Sequence, residues 1–288
     1  MTWEETIQYI RLKPEFKELV EHAYFEEDLK LNVERFQKSE EFIETLKIIN
    51  EFAPNTKKIL DIGSGNGVST ISLALKGYQL TSVEPDSSDT IGAGAINKLK
   101  SFYKLNNVDV FEAYAEDIKF NDNTFDLVYV RQAMHHANNL NKFIEECTRV
   151  LKKGGVLMTV RDHVIYNQKD KEWFLEMHPL HKFYGGENAY TSSEYKKAFT
   201  NAGLEILLEL KHYDSVINYS PLSKKQYDDL FNSKEKQIKD HLRKKIGVFS
   251  NLNLVVNMYK SKIGFSRDKV YDESTIPGRM YSYVTKKV

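Results

Sequence analysis

The segment Ile59-Leu60-Asp61-Ile62-Gly63-Ser64-Gly65-Asn66-Gly67 constrains the fold more than any other stretch of the chain. A short apolar run is stopped by glycines, and Val68 to Leu75 then resumes with helical spacing, which reads as strand, tight loop and helix. The same alternation continues. Gln79 to Glu84, Val108 to Ala113, Phe125 to Val130 and Gly155 to Val160 read as further strands, with helical segments between them, the clearest at Asn139 to Leu151. Strands alternating with helices require right-handed crossovers and a parallel sheet with helices on both faces. The strands are apolar at nearly every residue, as a doubly covered sheet demands. The fold class is α/β, doubly wound.

The flanks read differently. Thr2 with Glu5 makes a capping box, Pro14 can open a second helix, and Ser39 precedes a helical stripe of Phe42, Leu46, Ile49 and Phe52 that Pro54 ends. Arg161 to Asn188 is irregular, with three histidines and a Gly185-Gly186 turn. A helix near Ser192 to Ala202 and a strand near Glu205 to Leu210 follow. Residues 222–263 read as helical, with Phe231, Ile238, Leu242, Ile246 and Phe249 on one stripe, and Met280 to Val288 reads as a last strand. The expected organisation is an N-terminal helical cover (1–53), a doubly wound α/β domain (54–217 and 279–288) and a helical insertion or lid (218–278).

Composition excludes several classes. One cysteine in 288 residues rules out a disulfide framework and points to the cytoplasm. The first residues carry acids where a signal peptide carries bases, and no run approaches a membrane span. With 41 Lys+Arg against 41 Asp+Glu, the chain lacks the basic excess of a dedicated DNA-binding protein.

The glycine loop leaves a strand and enters a helix, so it stands at the carboxyl end of the sheet, where open α/β folds bind ligands. A dinucleotide fingerprint, G-x-G-x-x-G, fails because Val68 occupies its third glycine position, and no Gly-Lys-Ser/Thr follows for a phosphate loop. Glu84 ends the next strand, where an acid accepts hydrogen bonds from a ribose diol. Loop and acid together indicate a nucleoside ligand with little need for a pyrophosphate site.

These residues resemble the class I S-adenosylmethionine-dependent methyltransferases. Ala115-Glu116-Asp117-Ile118 resembles the family's adenine-contacting segment, Asn123 to Val128 its fourth strand, and Arg149 to Gly155 its exit from helix into strand five. The resemblance implies a mostly parallel, seven-stranded Rossmann-like sheet and S-adenosylmethionine as cofactor, with S-adenosylhomocysteine as product. It implies that Asp61 and the loop Gly63, Ser64, Gly65, Asn66 and Gly67 hold the methionine moiety and Glu84 the ribose. Pro85 and Asp86 would flank the adenine, and Ala115 with Glu116 would read its edge, while Tyr114 replaces a residue that is often small and polar.

For the acceptor, an Asn/Asp-Pro-Pro-aromatic tetrad after strand four would indicate base or glutamine amides, but Arg131-Gln132-Ala133-Met134 stands there. The sole Cys147 lies inside a helix, so cysteine-dependent chemistry is excluded. A small-molecule acceptor, methylated on a hydroxyl or carboxylate oxygen, is the expectation. His135, His136 and His163 are the candidate bases, because histidine titrates near working pH. Arg131 and Arg161 could clamp an anionic acceptor, and Arg131 is also a candidate cofactor contact. His163, His178 and His181 prompt a metal site, but no cysteine supports it, and no metal is expected. Tyr24, Phe25 and Arg35 are candidates to close over the cofactor.

Residues 224–262 hold ten Lys/Arg against four acids, a solvated helix face or a docking face for an acidic substrate. An RNA or protein methyltransferase docking through that segment is one alternative, a catalytically silent cofactor-binding regulator another. Nucleic acid is the less expected partner on charge, and the sequence leaves the oligomeric state open.

Overall fold

A computed structural model describes residues 1–247, 253–263 and 271–288. The chain opens with four helices, α1 (Trp3–Arg11), α2 (Lys17–His22), α3 (Leu29–Lys38) and α4 (Glu40–Phe52). Thr2 caps α1 in a full capping box with Glu5, and Ser39 caps α4 by accepting from the Phe42 amide. Pro14 starts a single 3-10 turn that leads into α2.

The sheet follows: β1 (Lys58–Ile62), α5 (Val68–Ala74), β2 (Gln79–Val83), α6 (Ala93–Phe102), β3 (Val108–Phe111), β4 (Phe125–Arg131), α7 (Leu140–Val150) and β5 (Leu151–Ile165). After β5 come α8 (Gln168–Met177), α9 (His181–Tyr184), β6 (Tyr190–Thr191), α10 (Ser192–Asn201), β7 (Leu204–Leu210) and α11 (Val216–Tyr219). Then come α12 (Lys224–Ile246), α13 (Asn253–Lys262) and β8 (Arg279–Lys287). The strands lie in the order β3-β2-β1-β4-β5-β8-β7, with β6 paired to β5. The first five strands are parallel, whereas β8 runs antiparallel to both β5 and β7.

Alternate residues of the central strands feed two separate cores. Leu60, Ile62, Val128, Val130 and Leu157 pack against α7 and α10, including Phe143, Ile144, Tyr195 and Phe199. Ile59, Leu127, Tyr129, Met158 and Val160 pack on the opposite face against α3 to α6, including Phe36, Phe42, Ile71 and Ile96. That two-sided burial is why these strands carry so few polar residues. Cys147 is fully buried in the first core.

Two sequence expectations need correction. The sheet has eight strands instead of seven, because β5 runs on to Ile165 and its end pairs with the two-residue β6. The segment expected to be irregular, Arg161 to Asn188, contains α8 and α9. Phe174 is the buried residue of α8, so no apolar stripe announced the helix. Its anchor is polar: Asp170 takes a bidentate pair from Arg279 at 2.5 and 2.9 Å, and Arg279 is itself fully buried. The helical reading of 222–263 agrees with α12 and α13, while Phe249 of its stripe lies outside the described residues.

Candidate active site

A cavity of about 410 Å³ opens above the carboxyl ends of β1, β2 and β4. Its floor is the glycine loop. Gly63 has φ +65°, and a Cβ there would lie 2.4 Å from the Cβ of Ala133, so only glycine fits between loop and β4 exit. Gly63, Ser64, Gly65 and Asn66 all line the cavity; Asp61 and Gly67 do not. Gly67 instead occupies the left-handed position that starts α5. The Asp61 carboxylate accepts from Ser69 Oγ at 3.0 Å and Thr70 Oγ1 at 2.6 Å, which fixes the loop against the first turn of α5. Burial raises its pKa to about 6, and its second oxygen is buried with no hydrogen-bond partner.

Glu84 follows β2 and lines the same cavity with Pro85 and Asp86. Its two oxygens accept from the amides of Gly65 at 2.7 Å and Asp86 at 3.0 Å. Burial outweighs these donors and lifts its pKa to about 7. Ala115 and Glu116 form part of the opposite wall, where Glu116 accepts from the Asn138 amide at 3.2 Å. Tyr114 borders the cavity with a largely exposed side chain.

The roof comes from distant parts of the chain. Trp3 of α1 packs on Tyr184 of α9 with ring centroids 4.7 Å apart and edge-on against Phe25 at 5.6 Å. All three border the cavity. Tyr24 does not line it, but its carbonyl accepts from Asn66 Nδ2 at 2.6 Å and ties the helical cover to the glycine loop. Arg35 points elsewhere and pairs with Glu26 and Glu21. No spacing in the sequence brings Trp3 and Tyr184 together, so this aromatic roof was missed.

The two arginines are not free to clamp an anion. Arg131 borders the cavity, yet its guanidinium grips the buried Glu41 of α4 through two bonds of 2.6 and 3.2 Å. Arg161 is buried, donates to the carbonyls of Ile217 and Ser220, and lies 3.8 Å from Glu41. Glu41 is a helix residue with no motif around it, so nothing in the sequence marked it as their partner.

The histidines converge with two acids beside the cavity. Arg161 has φ +61° and forms a bulge in β5 opposite Ser282, which re-aims Asp162 and His163. Asp162 Oδ1 then accepts from both the backbone amide and Nδ1 of His135, at 3.1 and 3.0 Å. Glu187, just beyond Gly185-Gly186, comes within 3.3 Å of His135 Nε2, 3.7 Å of His136 Nδ1 and 3.6 Å of His178 Nε2. Tyr184 Oη donates to Glu187 at 2.9 Å. Burial opposes a charged His135, but the two carboxylates prevail and raise its pKa to about 9. Burial would raise Glu187, yet the imidazoles hold it well below the usual carboxylate range. His136 is lowered to about 4 by burial and by its neighbour His135. Of the three candidate bases, His136 borders the cavity, His135 lies beneath it, and His163 is buried against Phe174 and the Gly278 carbonyl. The role of Glu187 was not read from the sequence; the Gly-Gly turn before it was the available signal.

Comparison with known proteins gives a consistent picture. Residues 60–159 match a family described as a methyltransferase domain. A glycine/sarcosine/dimethylglycine N-methyltransferase of Actinopolyspora halophila is 25% identical over 190 residues, covering 65% of this chain and 32% of that protein. A sterol 4-C-methyltransferase of Caenorhabditis elegans is 30% identical over 146 residues, covering 48% of this chain and 42% of that protein. The chain therefore spans less than half the length of these curated relatives. Geranyl diphosphate C-methyltransferase from Streptomyces coelicolor, solved with Mg²⁺, geranyl diphosphate and S-adenosyl-L-homocysteine, shares the fold. Its TM-score is 0.57 at 12% identity, over 86% of this chain and 79% of that one. No helix among the described residues is long and apolar enough to cross a membrane. Sheet order, glycine loop, strand-end acid and the domain match together identify residues 60–159 as a methyltransferase domain of the class I S-adenosylmethionine-dependent type.

Proposed function

We propose that the chain transfers the methyl group of S-adenosylmethionine to a small-molecule acceptor, at a hydroxyl or carboxylate oxygen. The observation that carries this reading is the cavity itself, floored by Gly63 to Asn66, edged by Glu84 and bordered by His136. Its lining fits the cofactor: a glycine cradle that a Cβ would fill, and a buried carboxylate whose two oxygens can accept from a diol. When bound, the cofactor supplies an electrophilic methyl on sulfur. The chain's part is alignment. The Gly63 to Asn66 backbone and Glu84 hold the nucleoside, and the Trp3, Phe25 and Tyr184 roof excludes water. His136 stands where it can take the proton of a hydroxyl acceptor. Arg131, held by Glu41, shapes the wall in place of clamping an anion.

Calorimetric titration with S-adenosylhomocysteine, S-adenosylmethionine and NAD tests the cofactor. Both sulfur nucleosides should bind and NAD should not. Absence of binding by either nucleoside to folded chain overturns the reading. Transfer of labelled methyl from S-adenosylmethionine into small molecules of a cell extract tests the acceptor class. Label in RNA or protein would favour a macromolecular acceptor, label on carbon or nitrogen would overturn the oxygen assignment, and no label with tight binding would indicate a silent regulator.

Cofactor binding should depend on pH through Glu84. Ribose hydroxyls donate to the ionised carboxylate, and this group ionises near pH 7 in the folded chain. Affinity for S-adenosylhomocysteine should be about tenfold weaker at pH 6 than at pH 8, and level off above. The folding contribution has the opposite slope. A carboxyl raised above its unfolded value favours the folded state at low pH and loses that contribution as pH rises from about 4.5 to about 7. Titrations across this range read the first effect and urea unfolding the second.

A further inference from the structure

Glu187 Oε2 is buried and makes no hydrogen bond, although two imidazole nitrogens approach it. A buried carboxylate needs a positive partner, which His135 supplies while it is protonated and a bound cation would supply in its place. One donor atom from each of His135, His136 and Glu187 lies within 4.8 Å of the other two. Ligands at about 2.0–2.2 Å from one tetrahedral ion stand about 3–3.5 Å apart, so only a small contraction is required. We propose that His135 Nε2, His136 Nδ1 and Glu187 form a binding site for a divalent first-row transition ion such as Zn²⁺ or Fe²⁺.

The surroundings suit that role. Asp162 Oδ1 sits 3.0 Å from His135 Nδ1 and holds a proton there, so an ion that displaces the Nε2 proton to solvent meets a lone pair on that nitrogen, the carboxylate–histidine–metal arrangement of many such centres. Two imidazoles and one carboxylate select zinc and the neighbouring transition ions over magnesium or calcium. The site is preorganised: the Ala189 amide donates to the His135 carbonyl, and Asn188 Nδ2 contacts the carbonyls of His136 and Ala137. His178 Nε2, 3.6 Å from the other Glu187 oxygen, is a fourth donor within reach. His136 gives up its 3.2 Å contact with the Gly186 carbonyl when it ligates. Three protein donors with one edge on the cavity describe a site with an open position, as catalytic metal centres have and structural ones lack. The metal site itself is independent of the methyl-transfer reading. Only the further step rests on it: an acceptor carrying an oxygen or sulfur donor would occupy the open position, with His136 as ligand and not as base.

The sequence led to no metal expectation; the trio weighed and set aside there was His163, His178 and His181. Of these, His163 turns its Nδ1 to the Gly278 carbonyl and stands edge-on to the His135 ring at 4.7 Å.

The test uses the full chain without a polyhistidine tag, stripped with EDTA and titrated with Co²⁺ and then Zn²⁺. One ion per chain is expected, with visible Co²⁺ absorption that Zn²⁺ abolishes. Glu187→Gln and His136→Ala should each weaken Zn²⁺ binding by roughly 100-fold, while His241→Ala on the exposed part of α12 should leave it unchanged. Asp162→Asn should weaken it about tenfold and shift the Co²⁺ bands, since it acts by positioning His135. Urea unfolding of each variant reports folding separately, and the His136 side chain is 36% exposed. If the native chain takes up no ion at micromolar Zn²⁺, or if Glu187→Gln and His136→Ala bind as well as it does, the proposal falls. The cluster is then a hydrogen-bonded charge network, and the cofactor assignment stands or falls on its own titration.

Discussion

Glu84→Gln should weaken S-adenosylhomocysteine binding about 100-fold and leave the unfolding free energy within about 1 kcal/mol of the native chain. The binding loss follows from charge. Each hydroxyl bond to an ionised acceptor contributes about 1.5–3 kcal/mol, and glutamine keeps one neutral acceptor, so about 3 kcal/mol is lost. The folding balance is closer. In the native chain both carboxylate oxygens accept backbone amides, from Gly65 and Asp86. Glutamine can satisfy one of these and sets its own NH₂ against the other, a cost of about 1–3 kcal/mol. Against that, at pH 8 the variant no longer buries an ionised group whose pKa is raised to about 7. Two units or so of that shift are worth about 3 kcal/mol, so the opposing effects nearly cancel. Calorimetry and urea unfolding at pH 8 check both halves. An unchanged affinity would remove Glu84 from the ribose contact, and the pH dependence of binding should vanish with it.

Glu41→Ala should destabilise the chain by about 3–5 kcal/mol, the largest effect of any single side chain considered. Glu41 is 1% exposed and holds Arg131 by two bonds, with Arg161 close by. Burial works against its charge, but the two guanidiniums hold its pKa below the usual value. Its contribution is therefore present above about pH 4.5 and lost as pH falls below that. Truncation leaves the Arg131 charge buried and unmatched, whereas Arg161 keeps the carbonyls of Ile217 and Ser220. The double change Glu41→Leu with Arg131→Leu should recover most of the loss, because an apolar pair replaces both charges together. Urea unfolding of the single and double variants decides it. A double variant as unstable as the single one would mean that Arg161 is the partner that matters.

The features legible in the sequence are those whose chemistry is local. The glycine loop announces itself because a positive φ at Gly63 admits almost nothing else, and Glu84 because it ends the strand that follows. The buried strands β1, β4 and β5 are legible because both faces are covered and polar residues drop out. What could not be read is long-range pairing. Glu41 and Arg131 are 90 residues apart, and Glu187 reaches His135 only because Gly185-Gly186 turns the chain back over the sheet. Adjacency in sequence is no better a guide. Asp162 follows Arg161 and precedes His163, yet the bulge sends its carboxylate to His135 instead. Helix α8 escaped notice because it is fastened by Asp170 to Arg279, an ion pair that leaves no apolar period behind.

The position of β8 also bears on how the protein is made. It is wedged between β5 and β7, although on the order of a hundred residues separate it from β5 along the chain. At the usual pace of translation those residues take on the order of ten seconds to emerge from the ribosome. Throughout that interval the edge of β5 that will receive β8, and then the edge of β7, stay unpaired on the nascent chain, open to strands of other molecules. Slow decoding or a stalled ribosome within that stretch should therefore aggravate aggregation more than a pause of the same length before β5, and a holdase chaperone should act most strongly there.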